Sequence, residues 1–313
     1  MKKIRRMVSP PCVFIGADYD TAELRALGQV CLWLLGWSDL ADALIAGEDP
    51  HLSLAADVEG ITYEEALARS KAGDKVIKET RQLMKVPNFG LPGGLGINGL
   101  IAYAHGYDPR FRALVDQRKA TEMHRAWFKK WREMEHFFDR VETAVGNHGA
   151  GTIQQFWSKR VRGGVSRNPA ANSTFQGLVA DGAKRAMWLL ARECYLGDWT
   201  RPPRPGIEAE MHARGEPSPL LGTRVVLFMH DEFIAETPDH PTRAGLAADR
   251  LAEVMRVGMQ EVIPDVPIKC SPTMSRRWHK GAEAVRVDGV LRPSKPVEID
   301  GRVKWVLDEE QTA

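Results

Sequence analysis

Cysteine is scarce in this chain. It has 4 in 313 residues (Cys12, Cys31, Cys194, Cys270), scattered and without a C-x-x-C spacing. That argues against a structural zinc and fits free thiols in a reducing compartment. Long apolar runs are missing as well. No stretch of about 18 apolar residues exists, so no membrane span is expected. The basic start Met1-Lys2-Lys3-Ile4-Arg5-Arg6 leads into only a short apolar stretch, so no signal peptide is read. The expected location is cytoplasmic. A charge excess is also lacking: 43 basic and 41 acidic residues leave +2. Any charged ligand must therefore be met by local segregation of charge rather than by the whole surface. There is no internal repeat. With 43% hydrophobic residues the chain can bury one large core or two smaller ones.

What is present is acid at the ends of apolar runs. Asp18-Tyr19-Asp20-Thr21-Ala22-Glu23 follows Cys12-Val13-Phe14-Ile15, and His230-Asp231-Glu232 follows Val225-Val226-Leu227-Phe228-Met229. A carboxylate leaving a buried strand is costly unless something pairs with it. Two such carboxylates meet if their strands are neighbours in one sheet. That arrangement suits hard divalent cations such as Mg²⁺, held by oxygen and bridged by phosphate.

Between them, Arg81, Lys85 and Phe89 recur at i, i+4 and i+8. On a helix they share one face, with two cations and a flat apolar plate. Such a face fits a nucleoside triphosphate: charge for the phosphates, a surface for sugar and base. Lys71, Lys75 and Lys78 extend the basic stripe backwards. The plainer alternative is a solvated cationic helix face.

Asp-Tyr-x-x-x-Glu-Leu-Arg (18–25), Arg-x-x-x-Lys-x-x-x-Phe-Gly (81–90), Gln-Gly-x-x-x-Asp (176–181) and His-Asp-Glu (230–232) occur in this order. Together they resemble the polymerase domain of family A DNA polymerases, the bacterial DNA polymerase I type, from about residue 4 to about residue 280. The first, second and fourth resemble motifs A, B and C of that family; His51 resembles the start of the fingers. The resemblance implies DNA-templated addition of dNTPs to a primer 3′-hydroxyl by two Mg²⁺ ions. Asp18 and Asp231 are then the shared metal ligands, about 3.5–4 Å between the ions, helped by the backbone carbonyl of Tyr19. Glu232 is a weaker candidate at the metal site. Lys85 and Arg81 take the phosphates, Lys85 also as a general acid. Phe89 packs on the nucleotide, and Glu23 excludes a ribose 2′-hydroxyl. Asn172 and Gln176 touch the duplex, and His230 either contacts the primer terminus or caps its hairpin.

The implied fold is α/β (α+β): a palm sheet backed by helices, with inserted helical fingers. The expected division is palm over 1–48, fingers over 49–149, palm again over 150–283, and a tail over 284–313. Strands are expected at 11–17, 152–157 and 266–270, with a hairpin over 223–236. Helices are expected near 21–36, 40–45, 50–57, 63–72, 74–91, 97–104, 108–146, 172–196 and 242–263. Residues 158–164 are expected as a basic turn. The stretch 200–222, with its five prolines, is expected as a loop or flap, and the tail as one small hairpin. Trp33, Trp37, Trp127, Trp131 and Trp188 are expected in the core.

Several positions depart from the family pattern. Gly93 stands where the family has a tyrosine, so the templating pocket is expected to be looser or rebuilt by another aromatic such as Tyr103. Pro87 is expected to kink the motif B helix. Asn168, next to Arg167, replaces an arginine. Nothing resembling a thumb, the first palm strands or a 3′→5′ exonuclease precedes Asp18. This suggests the catalytic half of a split, phage-like polymerase whose partner chain supplies those parts. A non-catalytic DNA-binding remnant, an accessory subunit and a metal-dependent nuclease are the rival readings.

Overall fold

A computed structural model describes residues 12–146, 150–299 and 302–309. Strand β1 (Cys12–Tyr19) turns Val13, Ile15 and Ala17 inward. Helix α1 (Ala22–Leu35) follows, then α2 (Asp39–Ile45), whose first turn is capped by Ser38. Helix α3 (Pro50–Glu59) begins on the Asp49 cap with proline in its first turn, where no N–H is needed. Helices α4 (Tyr63–Lys71) and α5 (Lys75–Gly90) are capped by Thr62 and Asp74. Helix α5 continues past Pro87 and gives way at Leu91–Gly93 to a 3₁₀ turn. Helix α6 (Ile97–Tyr107) comes next.

The single helix expected over 108–146 is instead three pieces. A 3₁₀ turn covers Pro109–Arg112, α7 covers Gln117–Lys130 and α8 covers Glu133–Val145. Asp116 caps α7, and Trp131 leaves helical geometry at ψ 76°. Strands β2 (Gly151–Gln154) and β3 (Val161–Val165) form a hairpin, so much of the expected basic turn is strand. Helix α9 spans Arg167–Leu196, and α10 (Ile207–Ala213) falls inside the stretch expected to be a loop. The prolines there sit at 202, 203, 205, 217 and 219, which leaves a proline-free window for one short helix.

Strands β4 (Arg224–Met229) and β5 (Glu232–Pro238) form the expected hairpin, followed by α11 (Arg243–Gln260). Strand β6 is Cys270–Ser275, later than expected, and its Pro272 is tolerated because β6 is an edge strand. The tail forms two hairpins rather than one: β7 (Val285–Val287) with β8 (Val290–Arg292), and β9 (Ser294–Ile299) with β10 (Arg302–Leu307).

The chain forms two compact units. The first comprises Met1–Ala22, Gly182–Glu261 and Ile268–Ala313. Its antiparallel sheet has the order β4-β5-β1-β6, with α11 packed on β1 and β6. Ile15, Phe233, Leu251, Met255 and Met274 are buried there. A Cβ on Gly258 would lie 2.7 Å from the Ala186 Cα, so glycine lets α11 meet the second half of α9.

The second unit comprises Glu23–Asp181 and Val262–Pro267 and is mainly helical. Trp127 and Trp131 are buried in it. Trp33 (37% exposed) and Trp37 (39%), and Trp188 (58%) of the first unit, are surface residues rather than core. Helical spacing does not say which side of a helix is covered. The β2–β3 hairpin packs onto α9 through the Gln-Gly-x-x-x-Asp segment. A side chain at Gly177 would collide with Gln155, and the buried Asp181 carboxylate accepts from Arg160. Among the described residues, no helix is long and apolar enough to cross a membrane.

Candidate nucleotidyl-transfer site

In the first unit, antiparallel pairing sets Asp18 directly across from Glu232, and the Tyr19 N–H donates to the Asp231 carbonyl at 3.4 Å. Asp231 occupies the two-residue turn between β4 and β5, beside His230, whose φ is +58°. A left-handed histidine is uncommon and costs roughly 1 kcal/mol. Partial burial, and then the carboxylates of Asp20, Asp231 and Glu232, push the Asp18 pKa above its ordinary value. The register thus brings the two acidic clusters together at one end of the sheet.

The Tyr19 ring is buried and its hydroxyl donates to the Met255 carbonyl at 3.0 Å, leaving the main chain as its contribution at the strand end. Among the described residues, no three His, Cys, Asp or Glu side chains gather at metal-ligand range. The donors present are hard carboxylate oxygens on two adjoining strands. They suit Mg²⁺, an ion that keeps several ligands from water and substrate phosphate.

In the second unit, α5 presents Arg81, Lys85 and Phe89, each half-buried, along one face. Arg81 is engaged: its guanidinium holds Asp49 at 2.6 Å and 2.7 Å. Asp49 in turn accepts from the His51 and Leu52 amides at the start of α3. Lys85 forms no ion pair among the described residues. Burial, and then the Arg81 charge, lower its pKa. An amine that is cationic, half-desolvated and short of counter-charge suits an anionic ligand.

His51 is 2% exposed, and burial pushes its pKa down to about 4. It is therefore neutral at neutral pH. Its Nδ1 meets the Asn88 amide at 3.0 Å, and its ring centroid lies 5.1 Å from that of Phe89. In this arrangement it backs Phe89 rather than offering a charge.

Asn88 is the residue that motif reading passes over. Its amide nitrogen donates to the Pro50 carbonyl at 3.1 Å as well as meeting His51. Its oxygen accepts from the indole nitrogens of Trp127 (3.0 Å) and Trp131 (3.1 Å). One buried amide thus joins α5 to α3, to α7 and to the residue that follows α7. The available signal was a polar residue on the buried side of an amphipathic helix, beside Met84 and Pro87.

Glu23 accepts from the Gln176 amide at 3.2 Å. Tyr103, on α6, lies against α5 at Gly90, where a Cβ would stand 3.2 Å from its ring. Burial, then the Tyr107 and Glu23 charges, raise its pKa. The Asn172 side chain lies where a Cβ on Gly93 would fall, 2.9 Å from its terminal atoms, and its amide donates to the Asn168 carbonyl at 3.2 Å. Glu23, Tyr103 and Gln176 therefore form one neighbourhood, and Asn172 occupies the space a ring at position 93 would need.

The fold and these two residue sets are those of a polymerase domain. Residues 1–280 match the family described as DNA polymerase family A, and the chain belongs to it. It is 24% identical over 268 residues to DNA polymerase I of Aquifex aeolicus (strain VF5), covering 85% of this chain and 39% of that protein. It is 24% identical over 289 residues to DNA polymerase I of Chloroflexus aurantiacus, covering 88% of this chain and 25% of that protein. The chain thus spans about two fifths or less of those relatives. A solved structure described as the POL domain of Pol1 from M. smegmatis, in complex with DNA primer-template and dNTP, shares the fold. Its TM-score is 0.57 at 20% identity, over 85% of this chain and 40% of that one.

Proposed function

We propose that this chain is a DNA-templated DNA polymerase that adds deoxynucleoside monophosphates to a primer 3′-hydroxyl. The observation that carries the reading is the register setting Asp18 across from Glu232 and beside Asp231, at one end of a four-stranded sheet. Asp18 and Asp231, with the Tyr19 carbonyl, would hold two Mg²⁺ ions, which when bound supply charge neutralisation of phosphate and an acidified 3′-hydroxyl. Glu232 stands beside them as an outer carboxylate.

Lys85 binds the triphosphate and, with a pKa already lowered, donates a proton to the departing pyrophosphate. Arg81 assists by exchanging Asp49 for phosphate. Phe89, backed by His51, packs on the incoming sugar and base. Glu23, held by Gln176, fills the space a 2′-hydroxyl would need, and Tyr103 supplies the ring that position 93 lacks. Asn172 and Gln176 meet the duplex in its minor groove, where every base pair offers acceptors, and His230 meets the primer end.

Primer extension with Mg²⁺ and dNTPs tests this, comparing the native chain with Asp231→Asn. The variant should bind primer-template normally and lose at least about 10³-fold in extension. Extension retained in Asp231→Asn sinks the carboxylate assignment.

A further inference from the structure

The broadest cleft in the second unit lies away from every residue assigned above. It measures about 820 Å³ and is bounded by α7, α8 and the first residue of α9. Its floor is aromatic. The Phe128 centroid lies 4.8 Å from that of His124 and 6.2 Å from that of Phe138. Its rim is cationic, with Arg125, Lys129 and Arg167. The Arg167 guanidinium already lies over the Phe138 ring, 4.8 Å from the centroid.

Rings beside guanidinium and ammonium groups are what unpaired nucleotides require. Stacking accepts any base, and the cations follow the phosphodiester chain. A protein partner would not need a row of flat rings open to solvent, and a duplex could not insert its stacked bases. Glu135 and Asp139 also line the cleft. They repel phosphate, which confines the backbone to the Arg125–Lys129 side, and they accept from the exocyclic amines of a base seated between the rings. Arg167 begins the helix that carries Asn172, five residues and about 7 Å further along its axis. The cleft therefore continues from residues proposed to touch the template.

We infer that this cleft binds unpaired nucleic acid, namely the template strand ahead of the primer terminus. The inference rests on the polymerase reading for the identity of the strand but not for the chemistry of the site.

The test uses the full chain, with Arg125→Ala/Lys129→Ala and, separately, Phe128→Leu. Both cations are largely exposed, so the double variant should fold normally, which circular dichroism checks. Fluorescence anisotropy compares primer-template carrying a long 5′ template overhang with the same duplex carrying a single-nucleotide overhang. The double variant should bind the long overhang about 10-fold more weakly and the short one equally well. The slope of log affinity against log salt should fall by about 1.4, for two single-strand phosphate contacts at about 0.7 each. Phe128→Leu should weaken long-overhang binding at least about 5-fold, with little change in salt slope.

Equal losses on both substrates, or none, overturn the site. Titration with bare oligothymidylate reads the cleft without catalysis, and unchanged affinity in the double variant likewise overturns it. Nucleotide addition on the single-nucleotide overhang reports the polymerase reading separately. If the native chain fails there but keeps its overhang preference, the catalytic proposal falls and the single-strand site stands.

Discussion

At the scale of single residues, Asn88 and Lys85 make opposite demands. Asn88 is fully buried, and its side chain serves four partners. Asn88→Ala leaves two indole N–H groups without an acceptor and should cost about 2–5 kcal/mol, read as a lower urea midpoint. Lys85 holds up no structure by ion pairing. Lys85→Gln should leave the urea midpoint within about 0.5 kcal/mol of native while cutting the extension rate by about 10²–10³-fold. A Lys85→Gln protein that extends primers at the native rate would remove this residue from the chemistry. Glu23→Ala should raise ribonucleotide use relative to deoxynucleotide by about 10–200-fold, measured as a ratio of kcat/KM values. The charged and aromatic motif residues were readable from spacing alone, because i, i+4 and i+8 must share a helix face. Asn88 was not, because its role comes from indoles that only the tertiary fold brings to it.

At the scale of elements, the sequence reading succeeded where periodicity and caps agreed. Helices α3, α4 and α5 begin at Asp49, Thr62 and Asp74, and each cap is a residue whose side chain accepts from the first turn. It failed where one long polar pattern concealed breaks, as at Asp116 and Trp131, and where prolines masked a short helix. Part of the 200–222 segment is ordered by a buried charge cluster that no pattern announces. Arg250 is fully buried, donating to Glu193 at 2.7 Å and 2.9 Å and to the carbonyls of Arg201 and Pro202, with Glu208 at 3.5 Å. Glu193 also accepts from Thr200 and Ser218. Removing the cation leaves two buried carboxylates uncompensated. Arg250→Ala should destabilise the protein by about 3–5 kcal/mol and open residues 200–222 to limited proteolysis. Native resistance to protease in that variant would contradict this role.

At the scale of the whole molecule, acid should act first through His51. Its pKa of about 4 in the fold compares with about 6.5 when free. Between those values the unfolded chain holds a proton that the folded chain does not, so stability falls as pH drops through that window. His51 alone should account for up to about 3 kcal/mol of the loss, followed by urea unfolding at successive pH values. In His51→Gln that share should vanish. Asp49 acts lower: despite burial, which works upward, the Arg81 charge holds its pKa below the ordinary carboxylate range. Its contribution is present above the unfolded carboxylate value and is lost only as pH falls below it.

The turn between β4 and β5 has a consequence for how this chain tolerates change in length. Met229 pairs with Glu232, so only His230 and Asp231 bridge the strands, and β5 is locked residue by residue to β1 on its other side. A single inserted or deleted residue there would exchange the faces of the side chains beyond it or lift Asp231 off the sheet end. Lineages of this protein can lengthen the 200–222 segment or the terminal hairpins and keep their carboxylates together. At this turn only replacements that preserve its length are open to them.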